Sequence, residues 1–498
     1  MMSIQLKVLF ILAILFSVFA GNRVSAQNEY RLTLDEVVAL AQSDAPDALL
    51  ATTRWKYTYW SYQSFLADFK PQILLRANPS FNRTIEGITL PNGSVAFTER
   101  SFMQNQADLS LLQDFAPTGG TFFLGSGLSR LDLFATAGQP ALVSYLSNPV
   151  SLGFSQPLFQ YNNMKWRKKI EPIIYKEGEK QYSEQMEDVA NKAATLFFDL
   201  LISQLDADAA IQDKANADTL LALSEGRYGV GKIAETDLLQ VQLNAMQAET
   251  RLAEAQLNMQ TNTEELRDFL GLHGEIVFDL IPPYEIPPTS VDPQQALNYA
   301  LQNRSTIVGF DRRLEEAKRE VARSLGERGP TVNVETQFGL TQTGSQLNQV
   351  YTNLIDQEVV RVGLTVPIAD WGKSKASKAV ALASLELEQK QVEQEKENFR
   401  HVVVLRSQQF DLIRRNAEVA QRYFEAAQKR YGITYQRYLI GKISITDLNL
   451  ALADQEGARR GYLQSVRDFW MALYDIRGLT LYDFVKDQTL MLSPPATN

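Results

Sequence analysis

Along most of this chain the apolar residues recur with the period of a helix, and they do so twice. Val403, Phe410, Ala417, Phe424, Tyr431 and Tyr438 follow one another at intervals of seven, with Ile413, Ala420 and Ala427 three residues after members of that row. This is the heptad seam of coiled-coil packing. A weaker seam runs through Ala193, Leu200, Ala207, Leu221 and Tyr228, interrupted by Lys214. The stretches that carry the two seams, about 164–228 and 374–438, are rich in Ala, Glu, Gln and Leu and almost free of Pro and Gly. Each predicts one helix of roughly 65 residues, about 100 Å long. Shorter helical patterns flank them over about Leu34–Phe69, Thr236–Gly271, Pro293–Glu327 and Ser444–Arg477. Two of these laid end to end match one long helix, so each half predicts a continuous helix beside two stacked ones.

Between the helical stretches the period falls to two. Val332, Val334, Thr336, Phe338 and Leu340 alternate with Asn333, Glu335, Gln337 and Gly339, and Val360, Val362, Leu364 and Val366 alternate with Arg361, Gly363 and Thr365. Strands of about ten residues with one apolar face fit a transmembrane β-barrel, with Val332, Val334, Phe338, Val360, Val362 and Leu364 directed to lipid. A half-buried soluble sheet has the same period. In the first half Gln72–Phe81 and Val150–Leu158 are the counterparts, while Ala107–Phe115 and Thr121–Ser129 read as an extra hairpin whose place the pattern leaves open.

The two halves are copies. RYGVGKIAETDLL (Arg227–Leu239) and RYLIGKISITDLN (Arg437–Asn449) lie 210 residues apart, and the same offset aligns Val150–Asn162 with Val360–Gly372, pairing Gly153 with Gly363 and Pro157 with Pro367. The first turns recur loosely, as LDEVVALAQSDAP from Leu34 and PQQALNYALQNRS from Pro293. LRDFLGL at Leu266 and LYDIRGL at Leu473 close the two copies. The expected organisation is a signal segment 1–26, a first repeat 27–272, a Pro-rich linker 273–290, a second repeat 291–480 and a tail 481–498.

Composition narrows the class. An apolar share of 45% and a charged share of 21% belong to a folded chain. Lys7, the apolar run Val8–Ala20 and the small residues Val24, Ser25 and Ala26 form a secretory signal pattern, so the mature chain is expected to start at Gln27. Loss of Lys7 and Arg23 would take the net charge from -9 to about -11, a poor match to nucleic acid. The chain has no cysteine, which removes disulfides and thiolate chemistry. After the signal no apolar run reaches the length of a membrane helix, so a membrane crossing would be made by strands.

This organisation resembles the outer-membrane efflux protein family, the TolC-like channels of Gram-negative bacteria, from about Leu34 to Leu479. The carriers are an alternating strand that ends in SQPLF (Ser155–Phe159) or TVPIADWG (Thr365–Gly372) and enters a very long helix, and the paired turns above. The resemblance implies an α+β membrane protein: a homotrimer whose long coiled-coil helices form a periplasmic α-barrel. Its strands, four per chain, would share one transmembrane β-barrel. A barrel needs about eight strands even to close, so four must be pooled between chains. The implied role is the exit duct of a tripartite efflux system, fed with small molecules by a periplasmic adaptor protein and an inner-membrane pump. The exit duct of a type I protein secretion system has the same features, and an exported coiled-coil scaffold with a soluble β-domain is the alternative without a pore.

The repeated turns would be elbows at the periplasmic tip, where the resemblance places an adaptor-docking groove at Val230, Gly231 and Lys232 and at Ile440, Gly441 and Lys442. Lys stands at both places where the family usually has Leu or Thr. Family members carry inward aspartates that narrow the closed tunnel; Asp447 matches the first, and Leu450 takes the place of the second. Asp237 matches the partner of a latch arginine whose own place is held by Ile443. The glycines are equally explained as helix caps, and Ser444 with Asp447 as a capping box. No catalytic, cofactor or metal residue is indicated: His273 and His401 lie far apart, and neither a phosphate loop nor HExxH occurs.

Overall fold

The computed structural model describes residues 28–89, 91–135, 140–274 and 276–495; the expected signal segment lies outside the described residues. The chain runs β1 (Asn28–Leu32), α1 (Leu34–Asp44), α2 (Pro46–Ala67), β2 (Gln72–Thr89), β3 (Val95–Phe115), β4 (Gly120–Leu133), β5 (Leu142–Leu158), α3 (Asn163–Gly229) and α4 (Glu235–Phe269). It continues with β6 (Ile276–Leu280), α5 (Pro293–Asn303), α6 (Ser305–Gly326), β7 (Thr331–Gly344), β8 (Ile355–Thr365), α7 (Lys373–Leu439), α8 (Ile445–Thr480) and the short β9 (Tyr482–Asp483) and β10 (Gln488–Thr489). Helix lengths repeat almost to the residue: α1, α2, α3 and α4 have 11, 22, 67 and 35, and α5, α6, α7 and α8 have 11, 22, 67 and 36. No helix among the described residues is long and apolar enough to cross a membrane.

Two expectations are corrected. The helix expected over Leu34–Phe69 is two helices, because Ala45 takes an extended backbone (φ -61°, ψ 142°) ahead of Pro46. Crowding by the proline ring disfavours the helical region for the residue before it. Its counterpart over Pro293–Glu327 breaks at the equivalent residue, Arg304 (φ -72°, ψ 138°), without a proline after it. The second correction is the strand count. One sheet holds six strands in the order β2-β3-β4-β5-β7-β8, every neighbouring pair antiparallel, where four per chain were expected. The unplaced hairpin forms β3 and β4, inside that sheet.

The chain divides into two compact units, and each draws on both copies. One is built mainly from residues 53–182 and 301–402: the six-stranded sheet, α6, most of α2 and the first parts of α3 and α7. Its helices pack through Trp55, Phe65 and Ile170, all buried, with Tyr175 stacked 4.5 Å from Tyr62. Arg312 reaches Glu177 at 2.6 Å, and Arg313 spans Glu388 at 2.5 Å and Glu395 at 2.6 Å. The other unit comprises 183–300 and 403–492 with residues 28–52. Here Phe197, Phe198, Phe410, Phe469 and Tyr474 are fully buried. In the second seam Val403, Phe410, Ala417, Ala427 and Tyr438 are buried, as a heptad row should be. β1 pairs in parallel with β6, which occupies the start of the expected linker.

Candidate functional site

Two features of this architecture have a surface to offer: the faces of the sheet and the two elbows.

On the sheet, the register carries one face through all six strands. Leu75 lies opposite Leu109 and Phe81 opposite Met103, Leu111 opposite Leu124, Leu124 opposite Leu152, Leu152 opposite Phe338, and Val334 opposite Val362. Most of these side chains are bare: Leu75 is 71% exposed and Val362 66%, as are their neighbours Ile73 at 70% and Leu364 at 65%, while Leu111 and Val334 are half-buried. The opposite face carries Arg76, Asn78, Asp108, Gln106, Gln337 and Arg361. On the apolar side β2 reads Ile73, Leu75, Ala77, Pro79, Phe81 before its first charge, Arg83; β4 reaches Arg130 and β8 reaches Glu358. From Ile73 to Phe81 is about 26 Å along the strand, close to the apolar height of outer-membrane barrels. Arg361 and Glu335 pair on the polar face at 3.5 Å, one residue from the outward Val362 and Val334. A soluble sheet would cover such a face with helices; this one leaves it open.

Between each of β5 and β8 and the long helix that follows it lies a left-handed residue that is not glycine. Phe159 (φ 62°) and Trp371 (φ 54°) both sit there, 76% and 98% exposed, with Ile368 also 98% exposed. An L-residue in that conformation is strained by roughly 1–3 kcal/mol. Both aromatics fall inside the SQPLF and TVPIADWG stretches, but a left-handed backbone leaves no mark in a period-two pattern.

At the elbows, Gly231 (φ 73°) ends α3 and Gly441 (φ 72°) ends α7. The amide of Gly231 donates to Tyr228 O at 2.8 Å and that of Lys232 to Arg227 O at 2.9 Å; Gly441 and Lys442 donate to Tyr438 O and Arg437 O at 2.8 and 3.0 Å. This is the Schellman closure, in which the left-handed residue is normally glycine. Val230 and Ile440 stand out to solvent, 68% and 65% exposed, and both Lys232 and Lys442 are exposed. A β-carbon on either glycine would meet nothing within 4 Å, so the surface above each is open.

Behind the elbows Val241, Tyr438, Ile445 and Leu448 form a buried cluster, with Leu220, Tyr431 and Ile443 against it. Arg227 of α3 donates to Leu439 O at 3.0 Å and lies 5.4 Å from the Tyr438 ring centre. Ser444 and Asp447 form a complete capping box: the Asp447 amide donates to Ser444 Oγ at 3.1 Å, and the Ser444 amide donates to Asp447 Oδ2 at 3.3 Å. Ala234, the equivalent of Ser444, makes no side-chain cap. Asp447 is exposed and Asp237 half-buried; Leu450 is 57% exposed. His273 and His401 are both exposed.

A cleft of about 210 Å³ beside this cluster is lined by Asp213, Asn244, Arg251, Tyr431 and Glu456 among others. Its polar groups answer one another: Arg251 meets Glu456 at 2.9 Å, and Asn244 bonds Asn449 at 3.0 Å. Burial pushes the Tyr431 hydroxyl up to about 12. It also raises the Asp213 carboxyl, with the Glu456 charge adding to the effect. No nucleophile and base are aligned here.

The family model described as outer membrane efflux protein matches residues 130–272 and 296–477. No curated protein matches the chain in sequence. Among solved structures, the CmeC outer membrane channel of Campylobacter jejuni aligns at 16% identity over 90% of this chain and 85% of its own, with a TM-score of 0.61. The outer-membrane channel OprN aligns at 16% identity over 90% and 89%, TM-score 0.64. The open state of the MtrE outer membrane channel of Neisseria gonorrhoeae aligns at 14% identity over 92% and 91%, TM-score 0.63. At such identities the likeness shows a shared fold.

Proposed function

We propose, from the premise that this chain belongs to the outer membrane efflux protein family, that it is a trimeric exit duct in the outer membrane of a Gram-negative bacterium. Small molecules reach it from a periplasmic adaptor protein and an inner-membrane pump and leave through it. The observation that carries this reading is the uncovered apolar face shared by six strands, with a polar face behind it. That face meets lipid and the polar one lines a lumen. Phe159, Ile368 and Trp371 then lie at the membrane interface, where aromatic side chains gather. The elbows receive the adaptor through Val230, Gly231, Lys232, Ile440, Gly441 and Lys442, and three copies bring their Asp447 residues around the pore axis. The chain itself performs no chemistry.

The test is a pair of substitutions on one strand. An arginine near the midplane of a barrel's lipid face costs roughly 2–4 kcal/mol, and much less in the lumen. Val334→Arg should therefore deplete the protein from outer-membrane fractions while Gln337→Arg, on the face that already holds Arg361, should leave it there. Equal tolerance of both substitutions would remove the membrane reading.

A further inference from the structure

The sheet has two open edges, β2 and β8. Long unpaired edges invite pairing with another chain. Five successive antiparallel pairings leave β2 and β8 running in opposite directions, so the β8 of one copy meets the β2 of the next in the same antiparallel sense. The apolar faces then remain on one side. We infer that the barrel wall is built from all six strands of each copy, closed by β2 of one copy against β8 of another. On the proposed trimer, three copies of six strands make an 18-stranded wall.

The stagger of the strands fits this closure. Straight across the sheet, Gln72 at the foot of β2 is level with Leu112, Phe123, Gly153, Gln337 and finally Val359. The foot of β8 is Thr365, six residues further along from Val359. Bringing the feet of neighbouring copies level shifts the register by those six residues over six strands, one per strand. A shear equal to the strand number gives a tilt of about 36°, inside the range of membrane barrels. Thr121 near the foot of β4 is level with Ser155, Glu335 and Arg361, four residues from Thr365 over four strands. β2 and β3 thus continue the lattice of the other four without a bend. The inserted hairpin widens the wall: diameter grows with strand number, so the lumen is about half again as wide as twelve strands would give, and barrels of this size hold an aqueous channel.

The absence of cysteine makes the edges easy to test. Leu75→Cys combined in turn with Val360→Cys, Val362→Cys or Leu364→Cys, in outer membranes treated with a mild oxidant, should give covalent oligomers for at least one pairing. Three partners cover slips of two residues. Leu124→Cys with the same three should give none. Crosslinks through Leu124→Cys would mean a four-strand wall with β2 and β3 outside it, and would overturn the inference. Failure of both series in membrane-embedded oligomers would also overturn it. Recovery of a soluble monomer would instead defeat the exit-duct reading on which the inference rests.

Discussion

The two elbows share a backbone and differ in what holds it. Both close a 67-residue helix with a glycine near φ 72° and the same pair of amide bonds. The second is capped from within by Ser444 and Asp447. The first has alanine at the capping place and is instead braced through Arg227, which reaches across to Leu439 O. A left-handed turn admits little besides glycine at low cost. A cap or brace is worth only about 1 kcal/mol and can be exchanged for another. After duplication the glycine stays and the supports drift, which leaves one elbow self-sufficient and the other dependent on its neighbour.

The largest test of this comparison concerns what the elbows share. If both glycines lie under a docked adaptor, Gly231→Trp and Gly441→Trp should each abolish efflux while trimers remain in the membrane. Asparagine tolerates the left-handed region, so Gly441→Asn should preserve efflux and separate bulk from backbone strain. Loss of efflux from only one tryptophan variant would show that the elbows dock differently. Loss of the trimer itself would reduce the glycines to helix caps.

Next comes the brace. Arg227→Ala removes a charged hydrogen bond and a ring contact, about 1–2 kcal/mol together. Amides of 228–237, at the first elbow, should then exchange hydrogen roughly tenfold faster. Arg437→Ala, at the equivalent but exposed place, should change exchange little. Equal effects would erase the claimed dependence. A smaller effect attends the cap: Ser444→Ala should cost about 1 kcal/mol at the start of α8, a roughly fivefold rise in exchange there. Ala234→Ser should slow exchange at the start of α4 by a similar factor, since Asp237 already occupies the third position of a capping box.

The elbows were legible because their signal is local. A glycine after a charged helix end, repeated at one offset, fixes a turn without knowledge of the rest. The long helices were legible for the same reason, since seven-residue periodicity survives in Val403 through Tyr438. The sheet was harder. Its apolar face was readable in β7 and β8 but not in β3, where Asn105 and Ser101 dilute the apolar row. A second clue lay unused in the offsets. Leu34 and Pro293 begin matching helices 259 residues apart, while Asn163 and Lys373 are 210 apart. The difference of 49 residues lies between α2 and α3 of the first copy, and its length is that of a hairpin. Pairing between strands distant in sequence leaves no local mark, so whether that hairpin joins the sheet needed the register. Arg227 was hidden for a related reason: its partner is a backbone carbonyl, which no side-chain pattern announces.

The smallest effect on stability separates two readings of Asp447. As a cap, its carboxylate receives the Ser444 amide and lies near the positive end of α8, where a charge is worth about 0.3–1 kcal/mol. Asn at the same place keeps an acceptor for that amide, so Asp447→Asn should move local exchange by no more than about fivefold. As part of a ring, the same substitution has a different consequence. Three exposed carboxylates around a threefold axis attract cations and concentrate them at the pore mouth. Removing them should weaken cation selectivity and block by multivalent cations in planar bilayers, although the fold barely notices. Asp237 supplies the internal control, because it occupies the matching position in the first copy and is half-buried. Asp237→Asn should leave block unchanged if the second copy alone lines the constriction. Equal loss of block in both variants would assign the ring to both elbows, and wild-type block in Asp447→Asn would leave its carboxylate as the cap of α8.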